Sequence, residues 1–162
     1  MSNDTTLKNL NTALQMELTA AHQYQLHAHL LEDWGLDKLA KQMRGEFDEE
    51  NGHADRFLER IFALGGEPEM AFAATPKVSK SLRDMFESDL ADEKEAIKFY
   101  TGAAKAAYES DDLASKALFE GIAIEEVGHR EWLELQLSLL DRLGEERYSS
   151  KYVSAAGEAE GE

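Results

Sequence analysis

Two short stretches of the chain carry a glutamate and a histidine three residues apart: Glu50 with His53 in EENGHADR, and Glu126 with His129 in EEVGHREW. Residues three apart on an α-helix share a face, so one carboxylate and one imidazole can reach the same small object. A hard-to-borderline divalent metal accepts that mixture of oxygen and nitrogen donors. The two stretches lie 76 residues apart, and the same offset superposes more of the chain. Glu93 falls on Glu17, Tyr100 on Tyr24, Glu125 on Glu49, Gly128 on Gly52, Leu90 on Leu14, Ala96 on Ala20 and Ala104 on Ala28. The chain is therefore two weakly similar halves, each offering a lone Glu and then a Glu-x-x-His. A two-fold arrangement of such halves gathers four carboxylates and two imidazoles, which suits two metal ions rather than one.

These groups need rigid elements to position them. Leu7, Leu10, Leu14, Leu18, Ala21, Ala28 and Leu31 recur at helical spacing and predict a first helix over about 5–34, with Asp4 or Thr5 as N-cap. Gly35 breaks it, and so short a link forces an antiparallel second helix over about 37–64, ending at Gly65-Gly66. Both prolines, Pro68 and Pro76, are confined to the next segment, so the rest of the chain is free to be helical. At roughly 3.3 Å per extended residue that segment returns the length of a bundle and leaves helices two and three parallel. Ser81 with Asp84 forms a capping-box pattern for a third helix to about 108. Ser110-Asp111-Asp112 turns the chain into a fourth helix to about 143, and a short fifth follows over about 145–155. The expected fold is an all-α four-helix bundle, one domain over 1–162, with a long crossover between helices two and three.

Glu17 and Glu93 both sit on apolar helical stripes, where an unpaired carboxylate costs several kcal/mol. A shared site explains them; two accidents do not. Gly52 and Gly128 interrupt helices at a cost of about 1 kcal/mol each, which predicts a close contact there. At 100° per residue, His22, His27 and His29 lie roughly 140°, 80° and 120° from Glu17 around the first helix, so they point away from the site, towards a surface or subunit interface. Tyr24 lies two turns from Glu17 and nearly in line with it, which brings its ring near the metals.

The balance of charge is strongly acidic, with a formal net charge of −16. That disfavours binding to nucleic acid or an anionic membrane. The chain has no cysteine, so disulfides, iron–sulfur clusters and thiolate zinc sites are excluded. MSNDTTLKNL lacks the basic and apolar regions of a signal peptide, and no apolar run is long enough to span a bilayer; the cytoplasm is the expected compartment.

The layout resembles the ferritin-like superfamily. The wording NLNTALQMELTAAHQYQLHAHLLEDWGL, HADRFLERI, SDLADE and EEVGHREWLE is similar to bacterioferritins across nearly the whole chain. Bundles of this class take one Glu from each of two helices and a Glu-x-x-His from each of the other two. The match falls on Glu17, Glu50, His53, Glu93, Glu126 and His129. The resemblance implies a 24-subunit cage that oxidises Fe(II) with oxygen or peroxide at a di-iron centre and stores ferric mineral. It further implies His53 and His129 as terminal ligands, Glu50 and Glu126 as bridges, Glu17 and Glu93 as terminal carboxylates, and Tyr24 as a source of a further electron.

Two positions depart from the family pattern. Bacterioferritins hold haem at a two-fold subunit interface through a methionine directly after the second-helix ligand Glu, and here that residue is Asn51. The expectation is no haem, or only weakly bound haem, in a homo-oligomer, with co-assembly with a haem-binding subunit as a route to a mixed cage. Gly45 stands where some bacterioferritins carry a histidine of an inner-surface iron site, leaving Glu46 and Glu49 as cation ligands. Two other readings fit less well. A rubrerythrin-like peroxidase usually adds a cysteine-rich iron site. A DNA-protecting mini-ferritin often uses basic tails, and here the first ten residues hold one lysine, Lys8.

Overall fold

The computed structural model describes residues 2–154. They form α1 (Ser2–Asp33), α2 (Asp37–Ala63), α3 (Leu82–Glu109), α4 (Leu113–Leu143), the short α5 (Glu145–Ser149) and a single 3₁₀ turn, Ser150–Tyr152. The four long helices are the expected bundle. α1 packs chiefly on α2, α3 on α4, and α1 on α3. Among the described residues no helix is long and apolar enough to cross a membrane.

Local chemistry accounts for most of the boundaries. Gly35 and Gly65 adopt positive φ of 79° and 71°, which only glycine does without strain, and end the first two helical runs. Gly66 lies against the Leu7 side chain, with no room there for a Cβ. Ser81 caps α3 by accepting from Asp84 N at 3.1 Å, and Asp84 Oδ2 reaches back to accept from Lys80 N at 2.8 Å. Asp112 caps α4 through Ser115 N at 2.9 Å and also pairs with Arg60 of α2 at 2.7 Å.

Three expectations about elements change. α1 begins at Ser2, so Asp4 lies inside its first turn, favourable to the helix dipole, rather than at its cap. The fifth helix stops at Ser149 and tightens into the 3₁₀ turn, while position 155 lies outside the described residues. Gly52 and Gly128 have open space where a Cβ would stand, so neither marks a close approach within the chain.

The crossover is docked by a polar stripe on α1. Asn11 exchanges hydrogen bonds with the main chain of Glu67 and Glu69, and Gln15 donates to Glu69 O. Thr19 Oγ accepts from Ala73 N at 2.8 Å, and Gln23 pairs with both main-chain groups of Lys77. His27 Nε2 meets Ser79 Oγ at 3.0 Å. These five α1 residues are four apart, and their partners ascend in the same order. The crossover therefore runs alongside α1 in α1's own direction, so α3 starts where α1 ends and runs parallel to α2.

That stripe corrects the reading of His27. It is fully buried, because the crossover covers its face of α1, and its Nδ1 lies 3.0 Å from the buried Asp89 of α3. His22 is half-buried between the rings of Phe47 and Phe72, and His29 is exposed.

The core is in two parts. One cluster holds Leu31, Leu39, Met43, Met85, Phe86, Leu133 and Tyr148. The other holds Leu10, Leu14, Phe57, Ile61, Tyr100, Phe119 and Ile122. Between them, in sequence position on all four long helices, lie the polar residues that the 76-residue repeat picks out.

Candidate metal centre

Each long helix contributes to one buried group. Glu17 comes from α1, Glu50 and His53 from α2, Glu93 from α3, and Glu126 and His129 from α4. All four carboxylates and His53 are at most 4% exposed, and His129 is 9% exposed. They divide into two quartets, Glu17–Glu50–His53–Glu126 and Glu50–Glu93–Glu126–His129, in each of which one atom per residue lies within 4.8 Å of the others. Glu50 and Glu126 belong to both.

The contacts are close but are not hydrogen bonds. His53 Nδ1 lies 2.9 Å from Glu126, 3.4 Å from Glu17 and 3.8 Å from Glu50. His129 Nδ1 lies 3.0 Å from Glu126, 3.1 Å from Glu50 and 3.6 Å from Glu93. Yet both Nδ1 atoms, both oxygens of Glu126, Glu17 Oε2 and Glu50 Oε1 have no aligned hydrogen-bond partner. Buried polar atoms are normally paired, and orphans in such number are expensive. Lone pairs that converge on common points without bonding one another fit cations held between them. The donor set, mostly carboxylate with one imidazole per quartet, suits iron, manganese or zinc.

The electrostatics agree. Burial first, and then Glu50 and Glu126, raise the Glu17 carboxyl well above the usual range. Glu93 is raised chiefly by burial. Burial opposes charge on His53 and His129, but the carboxylates around each, led by Glu126, outweigh it and raise both. Glu126 moves the other way: burial is overcome by the two imidazoles, and it stays ionised. Without a cation, this pocket holds its negative charge in check by keeping protons.

Two tyrosines hold the carboxylates that do not belong to both quartets. Tyr24 donates from its hydroxyl to Glu93 Oε1 at 2.6 Å, and Tyr100 donates to Glu17 Oε1. Burial, and next the facing glutamate, raises both phenols well above their usual range, so they remain donors. Tyr24 is where the helix geometry placed it. Tyr100, which the repeat sets on Tyr24, lies against Glu17 in the same way.

The outer nitrogens of the two imidazoles meet further carboxylates. His53 Nε2 donates to Glu125 Oε2 at 2.6 Å, and Arg56 grips both Glu125 oxygens at 3.0 Å. His129 Nε2 lies 3.1 Å from Glu46 and 3.3 Å from Glu49. Glu49 and Glu125 are themselves related by the repeat. A cavity of about 260 Å³ opens between α1, α3 and the crossover and reaches Glu17, Glu50 and Glu93. Asp92 on its wall is pushed up to about 6, first by burial and then by Asp89 and Glu95.

Comparison with known proteins agrees with this geometry. Residues 7–143 match the ferritin-like domain family. The bacterioferritin of Rhodobacter capsulatus is 44% identical over 140 residues, covering 86% of this chain and 87% of that one. The chain belongs to the bacterioferritin family. Brucella melitensis bacterioferritin is 38% identical over 154 residues, 95% of this chain and 96% of its own. Solved bacterioferritins have the same fold. The Rhodobacter capsulatus structure, described as having a metal-free dinuclear site and haem iron, superposes with a TM-score of 0.92 at 40% identity, covering 95% of this chain and 96% of that one. The Mycobacterium tuberculosis bacterioferritin structure gives 0.89 at 38% identity, over 92% and 94%. In this bacterioferritin Asn51 is half-buried on α2 and Gly45 is exposed.

Proposed function

We propose that this bacterioferritin stores and detoxifies iron, oxidising Fe(II) to Fe(III) within each subunit and depositing the product in a 24-subunit homo-oligomeric cage. The observation that carries the reading is the pair of buried quartets sharing Glu50 and Glu126, with donor atoms that converge without hydrogen-bonding one another. Such an arrangement holds two divalent ions side by side. In this reading His53 and Glu17 bind one Fe(II), His129 and Glu93 the other, and Glu50 and Glu126 bridge them. A bound iron pair supplies one electron per ion to oxygen or peroxide.

The protein's part is to orient and to manage protons. Tyr100 and Tyr24 each hold one oxygen of a terminal carboxylate, leaving the other for a metal. Glu125 holds the Nε2 proton of His53, so the proton given up as a cation enters leaves from Nδ1, whose lone pair then faces inward. The protons kept by Glu17, Glu93 and the imidazoles leave as cations enter. Tyr24, one hydrogen bond from Glu93, is placed to give a further electron. Asn51 offers an amide where haem iron needs a thioether, so the homo-oligomer carries no haem and a mixed cage gains it only from a haem-binding subunit.

The test is the double substitution His53→Ala with His129→Ala. Rapid Fe(II) oxidation disappears while light scattering still reports a particle of cage size. Normal oxidation kinetics in that protein would remove the site assignment, and a dimer-sized wild-type particle would remove the cage.

A further inference from the structure

The repeat makes the inner ligands of the two quartets equivalent but not their supports. At the 76-residue offset Arg56 corresponds to Trp132, and Glu46 to Ile122. On one side, then, a cation backs the carboxylate that holds the imidazole. On the other, a tryptophan stands in place of the cation and a second carboxylate, Glu46, joins the first.

The contacts follow that difference. His53 Nε2 is committed to a single acceptor, Glu125 Oε2 at 2.6 Å, and Arg56 Nη1 sits 3.0 Å from both Glu125 oxygens. Arg56 reaches Glu125 alongside Gly121 of α4, where a Cβ would stand 3.3 Å from its Nη2. His129 Nε2 has two carboxylates within 3.1–3.3 Å but an aligned hydrogen bond to neither. Glu46 instead accepts from Gln42 at 2.9 Å. Among the described residues, neither Glu46 nor Glu49 pairs with a lysine or arginine.

We propose that Arg56, acting through Glu125, is a positioning residue that locks His53 and makes the Glu17–Glu50–His53–Glu126 quartet the tighter of the two divalent-cation positions. The proposal rests on the two-metal reading above. A ring whose tautomer and orientation are already set loses less freedom on ligating a metal, and the carboxylate behind it makes the inner nitrogen a better donor. Removing such an outer partner typically costs about 10- to 100-fold in metal affinity. The opposing effect is charge, since Glu46 and Glu49 put more negative charge behind His129. Glu49 is 49% exposed at its side chain, so water and salt screen it. Glu46 is buried but accepts from Gln42 and makes no aligned bond to the imidazole, so local order decides. The Arg56–Glu125 pair is itself about 40% exposed, where an ion pair contributes little to folding, so its loss leaves the bundle intact.

The experiment uses metal-free, fully assembled protein titrated anaerobically with Co(II), read by calorimetry and by the visible bands of the bound ion. Wild type binds two Co(II) per subunit in unequal steps. Arg56→Met weakens the tighter step about 10- to 100-fold and leaves the weaker one in place, so that the two merge. Arg56→Lys recovers part of the loss, because it keeps the charge but not the two-oxygen grip. Glu125→Gln reproduces the Arg56→Met pattern without touching the arginine, and serves as the test should Arg56→Met fail to assemble. Two equal steps in wild type, or a loss in Arg56→Met that is absent, shared equally or confined to the weaker step, overturns the proposal while leaving the two-metal reading standing. Failure of wild type to bind Co(II) overturns both.

Discussion

Metal binding at this site should become more stabilising as pH rises, with a slope set by the protons the pocket holds. Glu17 and Glu93 have carboxyls raised above the ordinary 4.5, and His53 and His129 are raised above 6.5. A group whose folded pKa is raised stabilises the fold fully below its unfolded pKa and loses that contribution as pH rises towards the folded value. The metal-free protein therefore loses stability as pH rises above about 4.5 for the two glutamates and above about 6.5 for the two imidazoles. Glu126 is depressed and stays ionised throughout, so it contributes stability that is lost only below the ordinary carboxylate range. A metal pair requires all six groups deprotonated, so its binding releases up to four protons. Counting only two, the loaded and metal-free forms diverge by about 2.7 kcal/mol per pH unit. Between about pH 6 and about pH 8 that is about 5 kcal/mol, or roughly 10–20 °C in Tm for a chain of this size. The assay is calorimetric unfolding of Zn(II)-loaded and chelator-stripped protein at the two pH values. Titrations in buffers of different ionisation enthalpy count the protons. A Tm gap that does not change with pH, or release of fewer than one proton per metal pair, would refute the proton-holding account.

The remaining predictions concern single residues. Tyr24→Phe and Tyr100→Phe each remove a hydrogen bond to a buried carboxylate, worth about 1.5–3 kcal/mol, and in a zinc titration each weakens a different step. The same loss from the same step in both would break the one-tyrosine-per-quartet assignment. His27→Ala leaves Asp89 and Ser79 without their buried partner and costs about 3–5 kcal/mol, a fall of roughly 10 °C in Tm accompanied by faster proteolysis of the crossover. Unchanged melting and proteolysis would show that the crossover is held by other contacts. Expressed with ample haem, the unmodified homo-oligomer gives no strong Soret band and Asn51→Met gives one. A strong band in the unmodified protein would contradict the reading of Asn51.

The four glutamates and two histidines that cluster between the helices were legible because each is a local property of a helix. A Glu and a His three apart share a face whatever the tertiary fold, and the repeat at 76 residues showed that the same device occurs twice. Tyr24 was legible on the same ground, by its angle to Glu17. Tyr100, Glu49 and Glu125 carried the same offset, but an offset assigns correspondence, not contact. His27 was misplaced for a related reason. Its angle correctly excluded it from the metal face, yet a helical wheel does not say what covers the opposite side. The i, i+4 series Asn11, Gln15, Thr19, Gln23 and His27 makes sense only once an extended segment lies along it.

The sequence by itself determined that this chain is an all-helical bundle whose two halves repeat a lone Glu and a Glu-x-x-His, because apolar periodicity, glycine and proline placement and i, i+3 Glu–His spacing are all read within one or two turns of helix. Only the tertiary structure decided how those halves join and differ. Glu50 and Glu126 belong to both quartets, Tyr100 reaches Glu17 across the bundle, and Arg56 grips Glu125 on a helix 69 residues away in sequence. Those relations depend on the relative rotation and offset of four packed helices, which the two core clusters on either side of the site set and no local pattern encodes.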